Sequence, residues 1–532
     1  MNIFTPRSLL TTDALKKDVT SGFFVFLIAL PLCLGIAMAS GFPPVAGVLT
    51  AVIGGLLSTF LGSSPLTIKG PAAGLIVIAL GAVQELGGGD PVQGYRRALA
   101  VGVIAAVLQL GFSMFRAATL GVAMSPSVVH GMLAAIGVII ISKQAHTMVG
   151  VSPEGGGPLQ LLGQIPSSIA HANPEIAVIG LLSLAILFGI PMIKKPWARK
   201  LPGPIVVLLV TIPLGYLFDL DHSHTYSLSG HAFNVGPEYL VQLPGNVLSA
   251  LTTPDFSLLW SAVTWKYALM FALVGSIEST LSVLAVDAMD PQKRASDLNR
   301  DLFAVGLGNL VCGMVGGLPM ISEIVRSKAN IDAEAKTGWS NFFHGSFLLL
   351  FVALVPGLLH RIPLAALAAM LVYTGFRLAS PTEVKHASEL GRDQLTLFMV
   401  TLVMTLATDL LVGVATGLIL KICMHLYRGT KVRALVKPRL EADVSSEEMR
   451  ILVEDAGIFT TLLKVRKLLE TRPNSVKTVV LDVRKAVLVD HTFIRNLHSI
   501  ADEWEGTELK FEGLEQLMPA SSHPLASRRR AS

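Results

Sequence analysis

Apolar residues along this chain come in blocks, not in alternation. Mostly apolar segments of roughly 16 to 25 residues, closed by Gly, Pro or charged clusters, follow one another up to about residue 427. A helix needs that length to cross a hydrocarbon layer about 30 Å thick. The pattern predicts fourteen spans, near residues 21–39, 43–62, 70–86, 96–115, 120–142, 175–193, 203–218, 264–288, 302–317, 322–335, 340–359, 363–378, 394–408 and 410–427. An even number returns both chain ends to one side. Past residue 436, MRILVEDAG, SVKTVVLDVRKAVLVDHTFIRNLHSIADEW and TELKFEGLEQL read as strand, strand-turn-helix and strand. The expected domains are a segment 1–20, a transmembrane domain 21–427, a small α/β domain 436–518 and a disordered basic tail 519–532.

Composition agrees with the blocks. Of 532 residues, 52% are hydrophobic and 15% charged, and mean hydropathy is +0.61, above a soluble composition. The N-terminal charges precede the first apolar run without a small-residue cleavage site, so the first span is expected to stay in the protein. Cys33, Cys312 and Cys423 lie far apart in apolar runs, against disulfides and zinc. The net charge of +5 is accounted for by SRRRA and clusters between spans, which leaves nothing for nucleic acid to bind. Lys16, Lys17, the KKPWARK cluster at 194–200, Lys293, Arg294, Arg300, Arg377, Lys385 and Arg392 fall in loops of one parity. Those loops, and with them both termini, are predicted to be cytoplasmic.

The two sets of seven spans resemble each other at one place. The third segment of each is short and opens on a Gly/Pro cluster with a polar break, TIKGPAAG at 67–74 and GGLPMISE at 316–323. Such paired interruptions point to the binding site of an inverted-repeat transporter, with repeats over 21–218 and 264–427. Seven is odd, so the second copy enters the membrane upside down and the two short helices face each other by their N-termini. Unpaired backbone N–H groups and the positive end of each helix dipole then make an anion site. Its predicted lining is Lys69, Gly70, Pro71, Ala72, Ala73, Ser322, Glu323, Ile324 and Arg326.

These residues resemble the SulP family of anion transporters. DVTSGFFVFLIALPLCLGIAMASGFPPVAGVLTAVIGGLL is similar to its first two spans, MSPSVVHGMLAAIGVIIISKQ to its fifth and TLATDLLVGVATGLILKI to its last two. VGSIESTLSVLAVDAMDPQKRASDLNRDLFAVGLGNLVCGMVGGLPM looks like the eighth to tenth, in the form seen in sodium-dependent bicarbonate permeases. The likeness implies a 7+7 inverted repeat, a core moving against a gate domain, a homodimer, and a STAS-like C-terminal domain with Asp490, His491 and Thr492 at its helix start. In those permeases the acid and hydroxyl at the positions of Glu278 and Ser282 help bind sodium, which implies a Na⁺ site at Glu278 and Ser282 here.

The residues themselves leave a choice. Glu278 lies about fourteen residues into its span, roughly 20 Å deep at 1.5 Å per residue, where an isolated carboxylate is costly. It could carry Na⁺, take up H⁺, or form a permanent ion pair with Lys69 or Arg326. Glu323 stands where a negative charge would repel the substrate, so it is either a partner of Lys69 or Arg326 or a proton acceptor. His130 and His344 read as packed, hydrogen-bonded histidines, and Lys328, Asp332, Glu334 and Lys336 as solvated.

The expected function is a secondary active transporter of a small inorganic anion, bicarbonate first, coupled to Na⁺ or H⁺, by elevator-type alternating access in the inner (plasma) membrane. The alternatives are a sulfate or dicarboxylate symporter and an uncoupled anion channel or exchanger. Apart from the coupling ion no cofactor is expected, and the partners are the anion, membrane lipid, a second copy and, through bicarbonate, carbonic anhydrase. HExxH, GxSxG and paired catalytic acids on one helix do not occur, against an enzyme.

Overall fold

The structure, a computed structural model, describes residues 11–118, 124–153, 156–195, 201–228, 230–242, 251–445, 447–473, 475–502 and 507–530. Most of the KKPWARK cluster lies outside them. The chain divides into two compact units, one of Met1–Ala118 with Ile136–Leu378 and one of Thr119–Ala135 with Ala379–Ser532.

The first unit begins with α1 (Thr12–Ala39), α2 (Pro44–Leu56), α3 (Ser58–Leu61), β1 (Ile68–Pro71), a 3-10 turn Ala73–Leu75, α4 (Ile76–Gly87) and α5 (Pro91–Met114). It takes the C-terminal part of α6 (Pro126–Met148), then α7 (Pro158–Ala170), α8 (Pro174–Met192), α9 (Gly203–Leu217) and a hairpin of β2 (His224–Leu228) and β3 (His231–Val235). Next come α10 (Ala262–Met289), α11 (Leu298–Val315), β4 (Met320–Glu323), α12 (Ile324–Asp332), α13 (Trp339–Leu354), α14 (Pro356–Leu359) and α15 (Leu364–Leu378). Among the described residues eight helices are long and apolar enough to cross a membrane, and three shorter ones are apolar. The protein is a multi-pass, mostly helical membrane protein.

Sequence chemistry sets many of these boundaries. The Asp90 side chain caps α5 by accepting the N–H groups of Val92 and Gln93, with Pro91 at the first helical position. Asp297 caps α11 in the same way, and Gly316, at φ 103°, ends it in a left-handed conformation that suits a residue without Cβ. Close helix crossings rest on missing side chains: a Cβ on Gly55 would meet the backbone of Gly345 and Asn341, tying α2 to α13. Buried Asp18 on α1 accepts the N–H groups of Lys336 at 2.7 Å and Thr337 at 3.0 Å, fixing the entry to α13.

The second unit holds α16 (Pro381–Leu390), α17 (Arg392–Ala407), α18 (Leu410–Tyr427) and α19 (Val432–Val436), followed by an α/β region. That region contains β5 (Leu440–Val444), β6 (Glu448–Val453), β7 (Ala456–Gly457), α20 (Phe459–Glu470), β8 (Thr478–Asp482), β9 (Leu488–Val489), α21 (His491–Asp502), β10 (Glu508–Glu512), β11 (Met518–Pro519) and β12 (Arg528–Arg529). One sheet runs β10-β8-β6-β5, parallel except for the β5–β6 hairpin, and the other runs β11-β12-β9-β7. Alternating burial along β6 points Met449, Ile451 and Val453 into a core shared with Val479, Leu481, Phe493, Ile494 and Leu497.

The predicted spans each contain helix, and the predicted strands and the helix after Asp490 are found. The structure adds α7, α16, α20 and the β2–β3 hairpin, whose shorter or less apolar patterns read as loop. The tail differs from expectation. Arg528 and Arg529 pair with both β9 and β11, and Ala526 and Ser527 are buried, so the described part of 519–532 includes a strand inside a sheet. Backbone pairing, indifferent to side-chain charge, holds it.

Candidate functional site

Two polar interruptions far apart in sequence lie side by side in space. β1 pairs antiparallel with β4 in the register Ile68↔Glu323, Lys69↔Ser322, Gly70↔Ile321 and Pro71↔Met320. From this short ladder the chain turns into a half-helix on each side, the Ala73–Leu75 turn running into α4, and α12. Neither start carries a side-chain cap, so first-turn N–H groups at both have no side-chain acceptor. Gly70 and Pro71 were expected to open the helix and instead form strand; Ser322 is strand too, opposite Lys69. Pro71 has no N–H to give.

Side chains of α2, α11 and α13 pin this crossing. Asn309 accepts the Met320 N–H and donates Nδ2 to the Met320 carbonyl at 3.1 Å. Thr50 Oγ1 accepts the Leu318 N–H at 2.7 Å and donates to the Leu318 carbonyl at 3.0 Å. Lys69 N–H donates to Asn341 Oδ1 at 3.2 Å.

The charges divide into a paired and an unpaired set. Lys69 Nζ lies 2.9 Å from both carboxylate oxygens of Asp301 on α11, with side chains 3% and 1% exposed. Its partner is therefore neither Glu323 nor Glu278. Asp301 Oδ2 also accepts the Ser322 hydroxyl at 3.0 Å, and Ser322 Oγ accepts from Ser279 Oγ at 3.1 Å.

The unpaired set gathers around the ladder. Arg326, 1% exposed, has an Nη1 without a hydrogen-bond partner among the described residues, and a Cβ on Gly70 would collide with that atom. Both Glu278 oxygens and Glu323 Oε1 are likewise buried without a hydrogen-bond partner among the described residues. A Cβ on Gly74 would strike the Glu278 carboxylate. Glu323 lies within electrostatic reach of both Glu278 and Arg326. The missing Cβ atoms at two glycines thus let one cation and one acid come against β1 and the turn that follows it.

The remaining predicted residues take different positions. Pro71 ends the ladder and Ala72 follows it, both buried, and Ala73 begins the turn. Ile324 opens α12 with its side chain exposed, so only its backbone belongs to the site. Ser282, buried, follows Glu278 by one turn on α10. The Glu278 oxygens and a nearby hydroxyl are the donor type a hard cation takes. His344 is buried with neither ring nitrogen hydrogen-bonded among the described residues, contrary to expectation. His130 pairs with Glu383 at 2.7 Å. Lys328 pairs with Asp332 and Lys17 with Glu334 near solvent. Sequence reasoning missed Asp301, Ser279, Asn309 and Thr50. Only Asp301 left a trace, as an acid at the very edge of the span predicted over 302–317, where a buried Lys69 would need a counter-ion.

Residues 15–401 match the Sulfate permease family. The chain belongs to that family. Among relatives of this sulfate permease family member, the Bacillus subtilis protein named "Putative sulfate transporter YvdB" is 26% identical over 78% of this chain and 74% of its own. The bicarbonate transporter BicA of Picosynechococcus is 24% identical over 76% and 69%. In fold, the chain is similar to the transmembrane domain of a cyanobacterial BicA, with TM-score 0.64 and 22% identity over 76% of this chain and 98% of that one. It is also similar to murine Solute Carrier 26 family member A9, an anion transporter in the inward-facing state, with TM-score 0.67 and 16% identity over 94% and 86%. The sulfate permease family and these relatives are transporters, not enzymes, and the protein is a membrane anion transporter of that family.

Proposed function

We propose that this protein is a secondary active transporter that binds one small inorganic anion, bicarbonate first, at the β1–β4 crossing and couples its passage to Na⁺ or H⁺ through Glu278. The observation that carries the reading is the ladder itself, with two uncapped half-helix starts and, around it, an Arg326 Nη1 and acid oxygens that have no hydrogen-bond partner among the described residues. Backbone N–H groups and a guanidinium supply the donors an oxyanion needs. A carboxylate at the same depth must be neutralised for the anion to stay, which links anion binding to cation uptake.

The antiparallel crossing supports a 7+7 inverted repeat, 21–218 and 264–427, working by elevator-type alternating access. The C-terminal α/β region is proposed to be STAS-like. A homodimer in the plasma membrane with cytoplasmic termini completes the reading, and carbonic anhydrase would be a functional partner. Sulfate is the competing substrate, favoured by the name of the 26%-identical relative.

Uptake of labelled bicarbonate and sulfate into proteoliposomes, with and without a Na⁺ or pH gradient, tests this reading. Gradient-driven bicarbonate uptake in wild type, reduced at least about tenfold in Glu278→Gln with its gradient dependence gone, is expected. Uptake indifferent to both gradients would leave an uncoupled conductor; sulfate preferred over bicarbonate would reassign the substrate.

A further inference from the structure

We propose that Asp301 is a positioning residue that withholds Lys69 from the substrate, so that Arg326 is the one side-chain cation offered to the anion and the site selects anions of single negative charge. This rests on the reading of the β1–β4 crossing as the anion site.

Lys69 precedes Gly70 directly and pairs in register with Ser322, so an extended ammonium could reach an anion at the ladder. Instead Asp301 takes it with both oxygens at 2.9 Å, and Thr67 Oγ1 accepts a further bond. Asp301 is held in turn by the Ser322 hydroxyl at 3.0 Å, and Ser279 bonds both the hydroxyl and the N–H of Ser322. One carboxylate on α11 therefore fixes β1 and β4, and through Ser279 reaches α10. An ion pair so close acts at a distance as a dipole, not as a charge.

Charge counting then bounds the substrate. Lys69 and Asp301 cancel. Arg326 has no carboxylate within ion-pair distance among the described residues and contributes one positive charge. Glu278 and Glu323 can only subtract from it. With both acids neutralised the side chains at the ladder reach +1 and no more, which balances a monoanion and leaves a dianion one charge short.

The experiment compares the kcat/KM for labelled sulfate and bicarbonate in proteoliposomes of wild type, Asp301→Asn and the neutral pair Lys69→Gln with Asp301→Asn. Wild type is expected to favour bicarbonate. Asp301→Asn, which leaves Lys69 uncompensated, should raise the sulfate-to-bicarbonate ratio roughly tenfold, the effect of one charge several ångströms away in a partly screened site. The neutral pair should restore the wild-type ratio. A purely structural ion pair would lower both anions by one factor and leave the ratio unmoved, which overturns the proposal. Where Asp301→Asn does not fold, the neutral pair decides on the ratio: a wild-type sulfate-to-bicarbonate ratio supports withholding, whereas a ratio that falls roughly tenfold, as when a dianion loses a charged contact, makes Lys69 an anion contact. Wild type that takes up neither anion refutes the underlying site instead.

Discussion

At the level of single residues, the glycines of the ladder are as informative as its charges. Gly74 leaves room for the Glu278 carboxylate, and a methyl there has nowhere to go. Gly74→Ala should cost about 1–3 kcal/mol in stability and lower uptake far more than that, since the displaced group is the acid proposed to couple transport; thermal unfolding and uptake on the same preparation check it. Glu323→Gln should leave the unfolding temperature near wild type, because Oε1 has no hydrogen-bond partner among the described residues to lose, while weakening gradient dependence. A large loss of stability with coupling intact would make Glu323 a structural partner. The positions of Lys69, Glu278, Glu323 and Arg326 near a broken helix were legible in the sequence. Which cation meets which acid was not, because Lys69 and Asp301 are 232 residues apart and nothing local to either names the other.

Among elements, the apolar blocks announced the helices well, since a lipid-crossing helix must be long and apolar throughout. The start of each half-helix was misread for a physical reason: Gly and Pro suit a helix entrance and a short strand equally, and only the partner strand decides. That partner needs side chains to hold it. Asn309→Leu would strip the Met320 N–H and carbonyl of their bonds, at about 1–3 kcal/mol for each buried group left unpaired. The expected result is a lower unfolding temperature together with a raised KM for the anion. Loss of stability with KM unchanged would uncouple the strand's placement from binding. Amphipathic α20 escaped notice for the opposite reason, since a short helix on a sheet needs only one apolar face.

On the scale of whole units, the second one ties its last membrane helix to its α/β region through buried charge. Lys421 on α18 lies 3.1 Å from Asp490 and donates to Thr492 Oγ1 at 2.8 Å, and Asp490 caps α21 through the Phe493 N–H at 2.7 Å. Burial alone would raise the Asp490 carboxyl, but Lys421, His425 and that N–H together hold it below the ordinary range. A depressed folded value means the link stabilises fully above the unfolded carboxylate value of about 3.9 and fades only as pH falls through the lower folded one. Unfolding of the full chain should thus be insensitive to this group down to about pH 5, while Asp490→Asn, leaving Lys421 buried and unpaired, should cost about 3–5 kcal/mol at neutral pH. The ladder in the first unit carries a consequence for motion. Two half-helices whose leading strands pair cannot scissor apart without tearing that seam, so the alternating access proposed above would have to carry the cradle undivided from one face to the other. A cycle that required the tips to separate would have to rebuild the ladder at every turnover.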